Sequence, residues 1–263
     1  MIPVSHFDDP RLAEYAALGA PAVLRGRGLF VAEGRLVVRR LLALPRFTIR
    51  SVLVTTAAWR EMTATLQPAA ARIPVYVVPQ EVMNGVTGFN IHRGCLAIAE
   101  RPPDVPLEAL PLRTARRLLV LEHVSNPDNI GGLFRSAAAF DVDAVVLGPA
   151  CGDPLYRKAV RTSMGATLVV PFASAGNWPG GLETIGASGI EVLALTPDGD
   201  TRLVDVPCDL PRLALVAGAE GSGLSAEALA RCRRRVSITM TGRVDSLNVA
   251  TAASIALHHF FAR

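Results

Sequence analysis

The apolar positions of this chain fall into short runs, and their period switches between the alternation of a strand and the three-to-four spacing of a helix. Residues 8–19 read as a short helix, followed by Arg25-Gly26-Arg27-Gly28, a flexible basic loop. Phe30-Val31-Ala32-Glu33-Gly34 leads into residues 35–42, whose apolar side chains recur at helical spacing. Strands are predicted over 51–55, over 75–78 after Pro74, and over 95–99. Residues 57–67 read as helix and 82–87 as a short turn or helix. Residues 101–113, RPPDVPLEALPLR, hold four prolines and little periodicity. Proline removes backbone donors and stiffens the chain, so this stretch reads as a linker. Beyond it the pattern alternates regularly. Strands are predicted near 117–122, 144–148, 167–171, 191–195, 213–217 and 235–240, and helices near 130–140, 154–162, 178–187, 225–231 and 247–261. Short apolar strands separated by helices imply a mostly parallel sheet covered on both faces. Ligands of such sheets bind at the carboxyl ends of the strands. No internal repeat is visible, and the one biased tract is the short Arg231–Arg235 cluster.

Composition narrows the class. The chain has 263 residues, half of them hydrophobic, enough for one large or two modest domains with full cores. No stretch approaches the ~18 apolar residues of a membrane span, and the N-terminus has no apolar signal-peptide core, so a cytosolic protein is the default. Cys95, Cys151, Cys208 and Cys232 form no C-x-x-C pair and have no histidine at metal-ligand spacing; they read as buried free thiols. His258-His259 reads as a helix-surface pair, and no metal site is expected. The net charge of +4 resides in residues 1–113, with 13 Arg against 9 acids, whereas residues 114–263 balance. Arg25, Arg27 and Arg35 belong to that excess. Either a polyanion-binding surface or an ordinary solvated face would account for it.

Three loops, each between a predicted strand and a predicted helix, hold the candidate chemistry. The first runs from Glu122 to Arg135. Its Ser, Asn and Asp residues suit helix capping, while Arg135 stands in an apolar run and needs an anionic partner or a path to water. The second, Gly218-Ala219-Glu220-Gly221-Ser222-Gly223-Leu224-Ser225, sets a carboxylate among glycines that permit close backbone approach to a ligand. It lacks the G-x-G-x-x-G order and comes too late in the domain for a dinucleotide fingerprint. The third spans 236–250: an alternating strand, a break at Gly242, then Ser246 and Asn248 at the start of a helix of small residues.

Taken together, N-x-x-N-I-G-x-x-x-R, G-x-E-x-x-G-L-S and S-L-N-V-x-x-A, in this order, resemble the three motifs of the TrmH (SpoU) family. These are S-adenosylmethionine-dependent RNA 2′-O-ribose methyltransferases of the knotted SPOUT class. The resemblance covers residues 114–263, and Arg161–Ala166 also looks like the family. Phe30–Gly34 and His92-Arg93-Gly94 more weakly resemble the ribosomal-protein-like domain that often precedes the catalytic one. The expected organisation is therefore an α/β substrate-binding domain over 1–100, a linker over 101–113 and a trefoil-knotted parallel-sheet SPOUT domain over 114–263.

The resemblance implies the site residue by residue. The thread of the knot would be 236–263, passing through a loop around 213–225. Thr196, Gly218, Ile238, Met240 and Leu247 would contact the cofactor, with Ile238 and Leu247 flanking the adenine. Arg135 would stand beside the target hydroxyl, and Asn129, Glu220, Ser246 and Asn248 would position it and the ribose. A guanidinium, always charged near neutral pH, suits orientation and electrostatic support better than proton abstraction. The family pattern is a homodimer through the knotted domain. Ribosomal RNA is the favoured substrate, gripped through Arg25, Arg27 and Arg35; tRNA and an antibiotic-resistance target are alternatives within the family. A non-catalytic RNA-binding relative would be betrayed by loss of Arg135, Asn129, Glu220 or Asn248, and all four are present. A small-molecule Rossmann enzyme would need its glycine-rich loop after the first strand of the domain, where this chain has Asn and Asp.

Overall fold

The computed structural model describes residues 1–88, 91 and 94–261. The chain divides into two compact units, Met1–Pro103 with Leu155–Leu168, and Asp104–Pro154 with Val169–Arg263. Among the described residues the first holds a five-stranded mixed sheet and the second a seven-stranded parallel one.

The first unit contains β1 (Ile2–Pro3), β2 (Leu29–Glu33), β3 (Ile49–Thr55), β4 (Val75–Val78) and β5 (Cys95–Glu100), in the spatial order β1-β4-β3-β5-β2. β3 and β5 run through its middle and are almost wholly buried, which fits their continuous apolar runs. The stretch 8–19 is not one helix. It is three short turns of helix, Pro10–Leu12, Ala13–Ala16 and Ala17–Gly19, anchored by buried Tyr15, whose hydroxyl meets Ser51 Oγ at 2.8 Å. Arg25 and Gly26 are also not in a loop. They end a helix over Pro21–Gly26, with proline at its first position where the missing N–H costs nothing. Gly28, at φ 68°, then turns the chain into β2. His92 and Arg93 lie outside the described residues.

Leu155–Leu168 clusters with this unit rather than with the 114–263 segment to which its sequence position assigned it. The cause is polar as much as apolar. The Glu33 carboxylate accepts from Arg157 (2.8 Å) and Arg161 (3.2 Å) of the helix Arg157–Thr162. Arg40 donates to the Met164 carbonyl (3.0 Å), Arg46 donates to that of Leu168, and the Leu168 side chain is buried.

The second unit contains β6 (Arg117–Glu122), β7 (Ala144–Leu147), β8 (Phe172–Ser174), β9 (Glu191–Leu195), β10 (Thr201–Arg202), β11 (Leu213–Gly218) and β12 (Arg234–Ser237), in the order β10-β12-β9-β11-β6-β7-β8. β10 has no counterpart in the apolar pattern, and two strands depart from it by several residues. Residues 167–171 are not a strand: Ala166–Leu168 is a 3-10 turn, and β8 begins only after Pro171, which has a carbonyl to offer Val145 (2.9 Å) but no N–H. β12 stops at Ser237 because the register would set Ile238 against Pro197, which cannot extend the ladder. The proline-rich 101–113 stretch is only in part a linker. Leu107 and Leu112 enter the core of this unit, and Ser174 N–H donates to the Val105 carbonyl (2.8 Å).

After β12 the chain leaves regular structure over 238–248, then forms the helix Val249–Phe261. That helix packs on Pro127–Ala139, the helix that follows β6, although β9 and β11 separate β12 from β6 in the sheet. The approach is close. A Cβ on Gly132 would lie 2.9 Å from that of Ala250, and the hydroxyls of Ser136 and Ser254 meet at 2.6 Å. Small residues on both helices are what permit this.

Candidate active site

All three loops emerge from carboxyl ends of strands of the second unit: the first after β6, the second after β11, the third after β12. Each is stiffened by a polar cap. Asn126 Oδ1 accepts from Asp128 N–H (2.8 Å) at the start of the helix Pro127–Ala139. Ser225 Oγ accepts from Ala228 N–H (3.1 Å). Asn248 Oδ1 accepts from Ala250 N–H (3.0 Å) and Thr251 N–H (3.2 Å) at the start of the last helix. Such caps stabilise a helix by about 1 kcal/mol each.

Asn248 does more than cap. Its Nδ2 donates to Asn129 Oδ1 (2.8 Å) and to Glu220 Oε1 (2.5 Å). One side chain thus joins residues from all three loops, 119 and 28 positions apart in sequence. The amide has its oxygen turned to backbone donors and its nitrogen to two acceptors, so its orientation is fixed by hydrogen bonding on both sides. Asn129 is buried, whereas Glu220 and Asn248 remain exposed, so the cluster has a face open to a ligand.

The glycine loop follows a tight course. A Cβ on Gly218 would lie 2.4 Å from the Gly223 carbonyl, so only glycine fits. Gly221 and Gly223 take φ of 89° and 67°, the left-handed region that glycine enters freely. Of the other expected cofactor contacts, Thr196 follows β9 and donates its N–H to Val236 (3.0 Å). Ile238, Met240 and Leu247 are half-buried in the irregular stretch after β12. Thr196, Gly218 and Ile238 thus stand at the carboxyl ends of three adjacent strands, β9, β11 and β12, and Met240 and Leu247 follow in the irregular stretch after β12.

Two residues are not joined to the cluster. Arg135 lies on the exposed side of its helix while Asn129 lies on the buried side, and no partner for the guanidinium occurs among the described residues. Ser246 is exposed and makes no side-chain hydrogen bond among the described residues. In the first unit, Arg25 and Arg27 are exposed, while Arg35 is ion-paired with Glu61.

Glu122 was not singled out by its sequence context. It is fully buried at the end of β6 and accepts from Trp178 and from Ser225, so it belongs to the frame of the site. The available signal was a carboxylate ending an otherwise apolar strand, a position that demands donors. Burial pushes the Cys95 and Cys232 thiols up to about 12, the latter helped by the nearby Glu122 charge, and raises Cys151 as well, which disfavours their thiolate forms. No group of three potential metal-ligating His, Cys, Asp or Glu side chains is found among the described residues, and none of their helices is long and apolar enough to cross a membrane.

Compared with known families, residues 116–258 match the model of the SpoU rRNA Methylase family. The chain belongs to that family. Among SpoU relatives, an uncharacterized tRNA/rRNA methyltransferase of Mycobacterium tuberculosis is 44% identical, over 95% of this chain and 88% of the relative. The 23S rRNA (guanosine(2553)-2′-O)-methyltransferase RlmP of Bacillus subtilis is 27% identical over 88% of this chain and 87% of its own. The AdoMet-bound rRNA methyltransferase structure from Sinorhizobium meliloti superposes with a TM-score of 0.82, covering 98% of this chain and 96% of that one, at 23% identity. That likeness shows a shared fold.

Proposed function

We propose that this SpoU-family chain transfers a methyl group from S-adenosylmethionine to a ribose 2′-hydroxyl of ribosomal RNA. The observation that carries the reading is the Asn248 clamp, because it assembles Asn129, Glu220 and Asn248 from three distant loops at the ligand-binding end of a parallel sheet. Ribosomal RNA is favoured over tRNA by the B. subtilis relative, whose name specifies a 23S rRNA ribose, and by the N-terminal unit with its excess of arginine.

The residues present fit the cofactor. Gly218 lets the loop turn tightly on Gly223 where a side chain would clash, Ile238 and Leu247 offer apolar surface, and the 238–248 stretch leaves backbone groups outside any ladder. When bound, S-adenosylmethionine supplies a methyl group already activated by its positive sulfur. The chain must then align the acceptor oxygen with it, and alignment of this kind lowers a barrier by several kcal/mol. Arg135, exposed and with no guanidinium partner among the described residues, would hold the acceptor's phosphate and stabilise developing charge on the 2′-oxygen. Asn129, Glu220, Asn248 and Ser246 would orient the ribose.

The same reading makes residues 236–263 the thread of a trefoil knot through a loop around 213–225, which the return of the last helix onto Pro127–Ala139 supports. It also makes the active form a cytoplasmic homodimer through the knotted domain. An Arg135 with no guanidinium partner among the described residues suits a site completed by a second copy. Arg25, Arg27 and Arg35 would grip RNA phosphates and 2′-hydroxyls.

The test is methylation of total RNA with labelled cofactor, followed by mapping of the modified ribose. A single 2′-O-methylated ribosomal site is expected. Arg135→Ala should lose turnover while still binding cofactor; full activity in that variant would overturn its assigned role.

A further inference from the structure

We propose that Glu122 is a positioning residue that holds the glycine loop 218–225 in its cofactor-binding course; the proposal deepens the methyl-transfer reading and rests on it. The Glu122 side chain is fully buried, and no cation pairs with it among the described residues. Its carboxylate instead takes three neutral donors. Oε1 accepts from Trp178 Nε1 (2.6 Å) and from Ser225 Oγ (2.7 Å), and Oε2 accepts from Ser225 N–H (2.8 Å).

The placement decides what this does. Glu122 is the register partner of Gly218 where β6 lies beside β11, and its side chain binds Ser225. One residue thus touches both ends of the glycine loop. Between those ends the Ala219–Gly223 bridge spans the loop, and Gly221 and Gly223 leave its backbone otherwise conformationally free. Glu220, which takes the Asn248 clamp, lies inside the same span. The other arm is rigid as well, because the Trp178 ring packs so close to Gly148 that a Cβ there would lie 3.2 Å from it. Glu122 therefore ties the loop to a fixed indole.

The chemistry predicts which substitution exposes this role. Trp178 N–H and Ser225 N–H are fixed donors aimed at different oxygens of the carboxylate. Glutamine has one acceptor oxygen and one NH₂ group, so either orientation turns donor against donor. Removing the indole donor resolves the conflict. In Glu122→Gln with Trp178→Phe, the amide oxygen can face Ser225 N–H and the amide nitrogen can donate to Ser225 Oγ.

Purified wild type, E122Q, W178F and the double variant should be compared by calorimetric titration with S-adenosylmethionine, by RNA affinity and by thermal midpoint. E122Q should weaken cofactor binding about tenfold or more, the usual consequence of a buried donor left unpaired, with RNA affinity unchanged. The double variant should bind cofactor more tightly than E122Q, close to W178F alone. Where E122Q folds poorly the double variant decides: folded with restored cofactor affinity supports the donor conflict, and unfolded or unable to bind overturns it. Unchanged cofactor affinity in E122Q, even with a lowered midpoint, would reduce Glu122 to a stabilising residue and end the proposal, as would additive losses in the double variant. A wild-type protein that binds no S-adenosylmethionine would instead overturn the methyl-transfer reading, and the proposal with it.

Discussion

Asn248→Asp separates the two tasks of Asn248. The cap uses Oδ1, which an aspartate retains, and a carboxylate at a helix N-terminus is favourable by roughly 0.3–1 kcal/mol. The clamp uses Nδ2, which becomes a second acceptor facing Asn129 Oδ1 and Glu220 Oε1. The loss to Asn129 is a neutral hydrogen bond, about 1 kcal/mol, and the loss to Glu220 is a charge-assisted one, about 1.5–3 kcal/mol when shielded from water. Glu220 is exposed, so the second figure shrinks toward the value of a surface pair, about 0–1 kcal/mol. Two carboxylates about 4 Å apart in water repel by about 1 kcal/mol, but Glu220 can swing away and shed most of that. The net is about 1–2 kcal/mol of lost preference for the assembled cluster, which corresponds to a five- to thirtyfold fall in kcat. The thermal midpoint should fall by only a few degrees, since the cap remains and the added charge at the helix start offsets part of the loss. Asn248→Ala, which loses cap and clamp, should lose activity and about 2–4 °C of midpoint beyond the fall in Asn248→Asp. Single-turnover methylation of an RNA transcript, with circular-dichroism melts in parallel, measures both quantities. Wild-type kcat in Asn248→Asp would refute the clamp, and a large drop in its midpoint would refute the division between cap and clamp.

Three further outcomes follow from other contacts. Gly132→Val should destabilise the second unit by about 1–3 kcal/mol, because even a Cβ there meets Ala250 at 2.9 Å and the helices must separate; denaturant melts check it. Burial holds the Cys95 and Cys232 thiols at about 12, above the ordinary 9.0, so the fold favours their neutral forms. Their contribution to stability is intact below the ordinary value and is lost as pH climbs from there toward about 12; midpoints measured against pH for the wild type and a Cys95→Ala, Cys232→Ala variant should converge over that window. Replacing Arg25 and Arg27 with glutamate should weaken RNA binding and flatten its salt dependence while cofactor affinity stays constant; unchanged RNA affinity would count against a phosphate-gripping surface.

The elements themselves were legible because most strands here are buried on both faces and announce themselves as apolar runs. β9 and β4 match their expected spans residue for residue. Where the apolar pattern misled, proline or a remote partner intervened. Val169 and Val170 look like a strand, yet Pro171 defers β8 and Leu168 is drawn to the first unit. Leu155–Leu168 could not be assigned by position, because Glu33, Arg40 and Arg46 hold it from more than a hundred residues away. In the site, Asn129, Glu220 and Asn248 were marked by their motifs, but the hydrogen bonds that join them depend on sheet order, which periodicity does not encode. Glu122 was harder still: its donors come from an indole and a helix cap in segments with no pattern pointing toward it.

Those residues solve one physical problem. A loop that lets a ligand approach its backbone must be rich in glycine, and glycine surrenders more conformational entropy on ordering than any other residue. Left alone, residues 218–225 would spend much of their time outside their observed course. The chain fixes the span from outside rather than stiffening it from within. Gly218 is held by the ladder beside Glu122, Glu220 by Asn248, and Ser225 by the Glu122 carboxylate. The anchors belong to the strand end of the first motif and the helix start of the third, so the glycine loop is ordered only when both flanking motifs are in place. Loss of either anchor should therefore lower cofactor affinity and turnover together, whereas loss of Arg135, which touches none of the three loops' shared bonds, should lower turnover alone.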